Sequence, residues 1–364
     1  MGLSVGIVGL PNVGKSTIFN ALTAGNAESA NYPFCTIEPN VGIVPVHDRR
    51  LDELARIAGS AETINADVRI VDIAGLVRGA SKGEGLGNQF LSHIREVDAI
   101  LHVVRCFADE NVVHVDGSVD PARDVDVIET ELLLSDLQTL NSRLEKAQKM
   151  ARVGQKEVIE EIAVLQKAIT VIDGGSPMRT ADLTDLERKV IAQLSLLTDK
   201  AVLYVANVAD DDVHAESEAA RALSRISEEK GGEVFVLAGD LESQIASLDP
   251  AEREEFLLEM EIDEPGLTHL VRSAYALLDL ETFFTMGPKQ ARAWTIHRGT
   301  SAPKAAGEIH TDFERGFIRA ETVSFEDLQA AGSEQAARAA GRMRSEGKDY
   351  VVEDGDVILF RFNV

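Results

Sequence analysis

The sequence predicts an α/β protein in which a doubly wound parallel sheet is interrupted by an antiparallel helical coiled coil and followed by a small α+β domain. Three observations carry the prediction. Apolar runs at Val5 to Val8, Val68 to Asp72, Ile100 to Val104, Ala201 to Ala206 and Glu233 to Leu237 alternate with helix-like stretches, the order expected of a βα-wound sheet. A glycine-rich turn, Gly9 to Thr17, joins the first run to the helix-like segment Ile18 to Leu22. Two leucine-rich repeats stepping by three and four then break the alternation between the third and fourth runs.

The turn Gly9-Leu10-Pro11-Asn12-Val13-Gly14-Lys15-Ser16-Thr17 has the G-x-x-x-x-G-K-[ST] spacing of a phosphate loop, set between a strand and a helix as that loop requires. Gly9 and Gly14 let the main chain wrap closely around a phosphate, so that the N–H groups from Asn12 and Val13 through Thr17 face negative charge. Lys15 is expected to reach the outer phosphates and the Ser16 hydroxyl to ligate magnesium. The expected ligand is therefore a nucleoside triphosphate. Asn12 stands where some potassium-activated switches place a cation ligand, which makes potassium a second candidate cofactor.

The helical repeats are Leu133, Leu137, Leu140, Leu144, Ala147 and Val158, Ile162, Leu165, Ile169, Ile172, with a reversal point at Arg152-Val153-Gly154. They read as a hairpin inserted into the sheet domain and ending near Gly174-Gly175-Ser176-Pro177. Two amphipathic helices packed on the sheet would give the same pattern, since each repeat spans barely two heptads. The domain boundaries follow: residues 1–124 and 198–280 for nucleotide binding, 125–197 for the helical insertion, and 281–364 for the C-terminal domain. That last domain holds the lone tryptophan, Trp294, in a strand-like run from Arg292 to His297. It closes on Tyr350 to Phe360, where Asp354-Gly355 signals a hairpin between two apolar runs.

At 364 residues with 45% hydrophobic content, the chain can bury a core in two or three domains. A signal peptide and a membrane-spanning run are both missing from the pattern, so a cytoplasmic protein without a membrane partner is expected. The two cysteines, Cys35 and Cys106, lack metal or redox spacing. Cys35 lies beside candidate metal ligands, where thiolate formation would matter. The formal net charge of −25 argues against DNA as a partner. From Glu281 onward, however, 11 Lys and Arg stand against 13 Asp and Glu, so any RNA contact should use local basic surface between Lys289 and Lys348. A solvated face with interspersed acids reads equally well there.

Asp72-Ile73-Ala74-Gly75 supplies the D-x-x-G of GTPase-like switches: Asp72 to hold magnesium through water, and the Gly75 N–H to touch the terminal phosphate. Thr36, in the segment Asn31 to Asn40, is suited to complete the magnesium shell when a triphosphate orders that stretch. After Gly75 comes Leu76, where many GTPases carry a water-orienting glutamine, and a leucine cannot position water. For the base, Asn207-Val208-Ala209-Asp210 follows the fourth run and lacks the lysine of N-K-x-D. A carboxylate at Asp210 would pair with guanine but face a lone pair on adenine N1. ATP is favoured, with Asn207 and the Val208 backbone lining the base; a plain turn role for Asp210 and a GTP-specific switch remain the alternatives.

The strings Asn31 to Asn40, Arg78 to Leu91 and Gly299 to Arg319 resemble the YchF, or Obg-like ATPase, family, and the resemblance spans residues 2–364. It implies an OBG-type nucleotide-binding domain with a coiled-coil insertion and a C-terminal β-grasp TGS domain. It also implies slow, magnesium-dependent hydrolysis of the β–γ phosphoanhydride bond, ATP preferred over GTP, association with ribosomes, and roles in translation or stress responses. In that family a histidine replaces the missing glutamine, and the matching position is His114. From the residues alone, a histidine in the run Asn111 to Val115 is more often a packed side chain, and His93 and His102 are rivals. The leading expectation is a hydrolytic switch; a nucleotide-gated ribosome-binding module with incidental hydrolysis is the alternative from another class.

Overall fold

Strand β1, Ser4–Val8, is buried along its whole length, as is β5, Ala99–Arg105. Their unbroken apolar runs are what a parallel sheet covered on both faces requires. β1 pairs in parallel with β4, Ala66–Asp72, on one side and with β5 on the other. β5 pairs with β6, Ala201–Asn207, which pairs with β7, Glu233–Leu237, again in parallel. With β2, Val41–Val46, the six-stranded order is β2-β4-β1-β5-β6-β7. All five expected runs are strands of this sheet. β2 was not anticipated, because Val41-Gly42-Ile43-Val44-Pro45-Val46 buries only alternate residues and its Gly and Pro disguise the pattern.

The structure, a computed structural model, describes residues 3–24, 40–73, 86–109, 112, 117–151, 156–214, 216–260 and 262–363. It divides into two compact units, Met1–Gly42 with Arg69–Leu270, and Ile43–Val68 with Val271–Val364. Residues 43–68, assigned from sequence to the nucleotide-binding domain, cluster instead with the C-terminal unit. They contain helix α2, Arg49–Ala58, with Asp48 accepting from the Arg50 N–H at its start and Gly59 in the left-handed region at its end. They also contain β3, Glu62–Ile64, whose three residues are too few to show a period.

Within the first unit, α1, Lys15–Ala24, opens at the phosphate loop, and α3, Leu86–Glu96, precedes β5. The helical insertion is α4, Pro121–Ala151, and α5, Lys156–Asp173. All ten repeat residues join one hydrophobic cluster, with Leu140, Ala147, Val158, Leu165 and Ile172 fully or almost fully buried. An Arg143–Glu161 ion pair at 2.6 Å fixes the antiparallel register, and Gly175 at φ 79° ends the excursion near the expected place. The reversal point itself, 152–154, lies outside the described residues.

Buried acids on α4 tie the helix to its surroundings. Asp136 accepts from the Leu197 and Thr198 N–H groups and the Thr198 hydroxyl at 2.7 to 2.8 Å. About two turns earlier, buried Glu129 accepts from Arg179 at 2.6 Å and from the Tyr204 hydroxyl at 3.0 Å. Tyr204 lies on β6, so this triad ties helix to sheet. In the second unit the sheet order is β11-β10-β12-β8-β9-β3, using β8, Leu280–Met286; β9, Gln290–His297; β10, Phe317–Ser324; β11, Arg344–Glu346; and β12, Asp356–Phe362. Phe283, Phe317, Ala320 and Phe360 build a core there against Ala302, Ala305 and Ala306 of the helix Ala302–Ile309.

The hairpin expected at Asp354-Gly355 is corrected. The turn exists, with Gly355 at φ 90°, but β12 pairs antiparallel with β10 and parallel with β8, while Val351 bridges only to Ser301. Asp354 accepts from the Thr282 N–H, and the Gly355 N–H bonds Thr282 O, so the turn is fastened to β8 rather than closing a local ladder.

Candidate functional site

The loop after β1 is shaped by contacts that exclude side chains. A Cβ on Gly9 would lie 2.5 Å from the Val103 carbonyl of β5, and one on Gly14 would lie 2.2 Å from Asn207 Nδ2. Gly14 is also left-handed, at φ 98°, as is Asn12 at φ 62°, a conformation asparagine tolerates better than most residues. Leu10 and Val13 are buried and anchor the loop to the core. Lys15, the first residue of α1, is buried beneath it, and its ammonium donates to the carbonyls of Gly9 at 3.0 Å and Leu10 at 2.7 Å. Burial pulls its pKa down to about 8, while the Asp72 charge pushes the other way. Thr17 is half-buried one step further along the helix.

Ser16 and Asp72 come together as the motifs require. Ser16 Oγ lies 3.4 Å from Asp72 Oδ2, and Asp72 is held at the end of β4 by its N–H bond to Asn40 O. The other oxygen, Asp72 Oδ1, is buried with no hydrogen-bond partner. An unpartnered carboxylate oxygen beside a hydroxyl is a donor set that fits a hard divalent cation. Among the described residues, no group of three or more His, Cys, Asp and Glu side chains could hold a metal, so such an ion would draw further oxygens from a substrate.

At the end of β6 the residues expected near the base are tied into the protein. Asn207 is buried; its Nδ2 donates to Val13 O at 2.9 Å, and its Oδ1 accepts from the Gly239 N–H at 3.0 Å. The Val208 N–H bonds Leu237 O. Asn207 thus buttresses the phosphate loop, and the Val208 amide completes the sheet. Asp210 is exposed in a turn. Its neighbour Asp212 accepts from the Glu216 and Ser217 N–H groups, and the Ser217 hydroxyl first, then these amides, draw its pKa down.

Of the histidines, His102 is buried on β5 beside the Tyr204 ring. Burial, then the charges of Arg179 and Lys15, push its pKa down to about 3, so it stays neutral and structural. His93 is exposed on α3. Thr36, Gly75 and His114, with Cys35 and Leu76, lie outside the described residues. Cys106 is a buried free thiol, driven up to about 12 by burial and then by Asp212 and Asp124.

Sequence reading missed Arg105. It closes β5, is only 2% exposed, and gives its guanidinium to the carbonyls of Phe107, Asp109 and Val112 at 2.9 to 3.1 Å, while packing over the Phe107 ring. It therefore clamps the loop that follows β5. The one available signal was a cation ending an otherwise apolar strand.

Part of the basic surface anticipated after Glu281 is neutralised piecemeal. Arg319, Arg338 and Arg361 all converge on Glu321, Lys304 pairs with Glu314, and Arg344 with Asp356.

Sheet order, loop and the Ser16–Asp72 pair define a P-loop NTPase of the GTPase fold. Residues 4–133 match the family model described as 50S ribosome-binding GTPase, and residues 280–363 match YchF-GTPase_C, described as a protein of unknown function. The chain is 52% identical over 364 residues to the "Ribosome-binding ATPase YchF" of Escherichia coli O157:H7, covering all of both chains. It is 51% identical over 367 residues, again covering all of both, to the protein of that name in Bacillus subtilis strain 168. The solved "Structure of the Schizosaccharomyces pombe YchF GTPase" superposes with a TM-score of 0.90 at 37% identity, covering 99% of this chain and 98% of that one. The chain belongs to the YchF family.

Proposed function

We propose that this protein is an ATP-binding, slowly ATP-hydrolysing switch that engages the ribosome in the cytoplasm and modulates translation or stress responses. The observation that carries the nucleotide reading is the buried Lys15 ammonium beneath a loop whose amides have no room for side chains at Gly9 and Gly14. The ribosome and ATP parts rest on full-length relatives whose names state both.

The chain's own residues would act as follows. The amides from Val13 to Thr17 and the start of α1 cradle the phosphates. Lys15 exchanges its two carbonyl partners for phosphate oxygens, which restore its full charge. Ser16 and Asp72, with Thr36, would hold magnesium, which when bound neutralises charge developing on the β–γ bridge. Gly75 would report the terminal phosphate through its N–H, and His114 would orient the attacking water in place of glutamine. With Leu76 unable to do so, turnover is slow until a partner completes the site.

Val208 supports ATP, because the lysine that packs along guanine in N-K-x-D is missing. An authentic GTPase is the second reading, favoured by the exposed carboxylate of Asp210 at the guanine-reading offset. Competition for bound ATP decides: displacement by GTP at equal or lower concentration replaces the first reading with the second. Single-turnover hydrolysis with and without ribosomes tests the switch, with strong stimulation expected; no stimulation would leave a nucleotide-gated binding module.

A further inference from the structure

Between α3 and α4 lies a cavity of about 700 Å³, floored in part by Leu91 and Leu194. It is separate from the phosphate loop: none of Asn12 to Thr17, Asp72 or Asn207 lines it. On α4 the lining positions run from Ser135 through Thr139, Ser142 and Arg143 to Lys146, a single helical stripe. Ser92 and Arg95 face it from α3.

The composition of this lining departs from the rest of the molecule. Asp and Glu make up 61 of 364 residues, yet among the described residues none lines the cavity, while Arg95, Arg143 and Lys146 all do. Glu161 holds Arg143 through one nitrogen, Nε, and Asp136, which stands behind Arg95, has both oxygens bonded to Leu197 and Thr198. The other polar groups are hydroxyls and carboxamides, and among the described lining residues no aromatic ring is present on which a base could stack. The volume is that of a small-molecule site.

We propose that this cavity binds a small phosphate monoester rich in hydroxyl groups, a second ligand alongside the nucleotide. The three cations hold the phosphate, Arg143 and Arg95 offering paired N–H donors and Lys146 a point charge. Ser92, Thr139 and Ser142 take the hydroxyls. A strand of RNA presents the same phosphate chemistry, but the concave shape and missing aromatic platform favour the compact ligand.

The test titrates ribose 5-phosphate into the full chain with its nucleotide site saturated by ADP and magnesium, read by calorimetry. One binding event is expected, weakened about tenfold or more by Lys146→Glu or Arg95→Gln, since each removes a charge-assisted contact. Lys289→Glu, the same charge change at an exposed position in the other unit, should leave it within about twofold. Both lining residues are exposed on helices, and an unchanged circular dichroism melt verifies that the variants fold. Absence of binding, equal weakening by Lys289→Glu, or indifference to Lys146→Glu overturns the proposal. So does a labelled oligouridine RNA that binds with Lys146 dependence while ribose 5-phosphate does not.

Discussion

Asn207 donates its carboxamide to the main-chain carbonyl of Val13, 194 residues earlier in the chain, and so joins the end of β6 to the middle of the phosphate loop. The same side chain accepts from Gly239, which opens the helix Gly239–Ser247. One buried amide therefore holds three segments in register, and a Cβ at Gly14 or Gly239 would collide with it.

Asn207→Ala leaves a buried acceptor at Val13 and a buried donor at Gly239. Each orphan costs about 1 to 3 kcal/mol. Nucleotide affinity and thermal stability should fall together, the loss of affinity exceeding tenfold, about 1.4 kcal/mol. An Asn207→Ala protein that binds ATP as tightly as the parent would remove the buttress from the account.

Lys15 gives a pH signature. Its folded-state pKa, lowered to about 8 from 10.5, means that below pH 8 both folded and unfolded chains carry the proton and the burial penalty is present in full. Between 8 and 10.5 the unfolded chain binds more protons, so stability rises with pH relative to a Lys15→Met protein, by at most about 3 kcal/mol. Nucleotide binding should run the other way, since phosphates demand the ammonium: affinity falls as pH climbs past 8, with proton uptake on binding. Calorimetry in buffers of different ionisation enthalpy measures that uptake, and a value of zero at pH 9 contradicts the assignment.

Arg105→Met should release the loop carbonyls of Phe107, Asp109 and Val112 while keeping an apolar stem in the core. Amide exchange across 107–109 and at 112 is expected to quicken by tenfold or more, corresponding to roughly 1.4 kcal/mol of lost local stability. Arg105→Lys should rescue this in part, because one ammonium reaches fewer of the three carbonyls. Exchange indistinguishable from the parent would show that the clamp bears no strain.

Glu129 and Arg179 form a buried pair within the first unit, 2% and 6% exposed. Removing either partner alone, as Glu129→Leu or Arg179→Met, should destabilise the protein by about 3 to 5 kcal/mol by stranding the other charge. The double variant should recover much of that loss. Urea titrations of all four proteins form the cycle, and additive losses would mean the two charges act independently.

Much of this fold could be read in advance, for a reason visible in particular residues. β1 and β5 are covered on both faces, so their sequences are uniformly apolar, and the heptad partners Leu140 and Leu165 have no role but to be buried. The phosphate loop declared itself because its chemistry forbids side chains at Gly9 and Gly14. What escaped reading depends on distant partners. β12 follows a turn that mimics a hairpin, yet Asp354 and Gly355 are bound to Thr282, over 70 residues away. The bonds of Asn207 to Val13 and Gly239 depend on residues 194 and 32 positions away. Arg105 belongs to no motif at all; its three acceptors are main-chain carbonyls, which every sequence has.

Helix α4 runs unbroken for 31 residues from Pro121, about 46 Å end to end. Its anchors, Glu129 and Asp136, lie in its first half and at its midpoint. Geometry then makes the remainder a lever arm: a rocking of about 5° about those anchors would sweep the far end through roughly 3 Å. A displacement too small to notice beside β6 would thus be amplified into one large enough to make or break a contact at the other extremity.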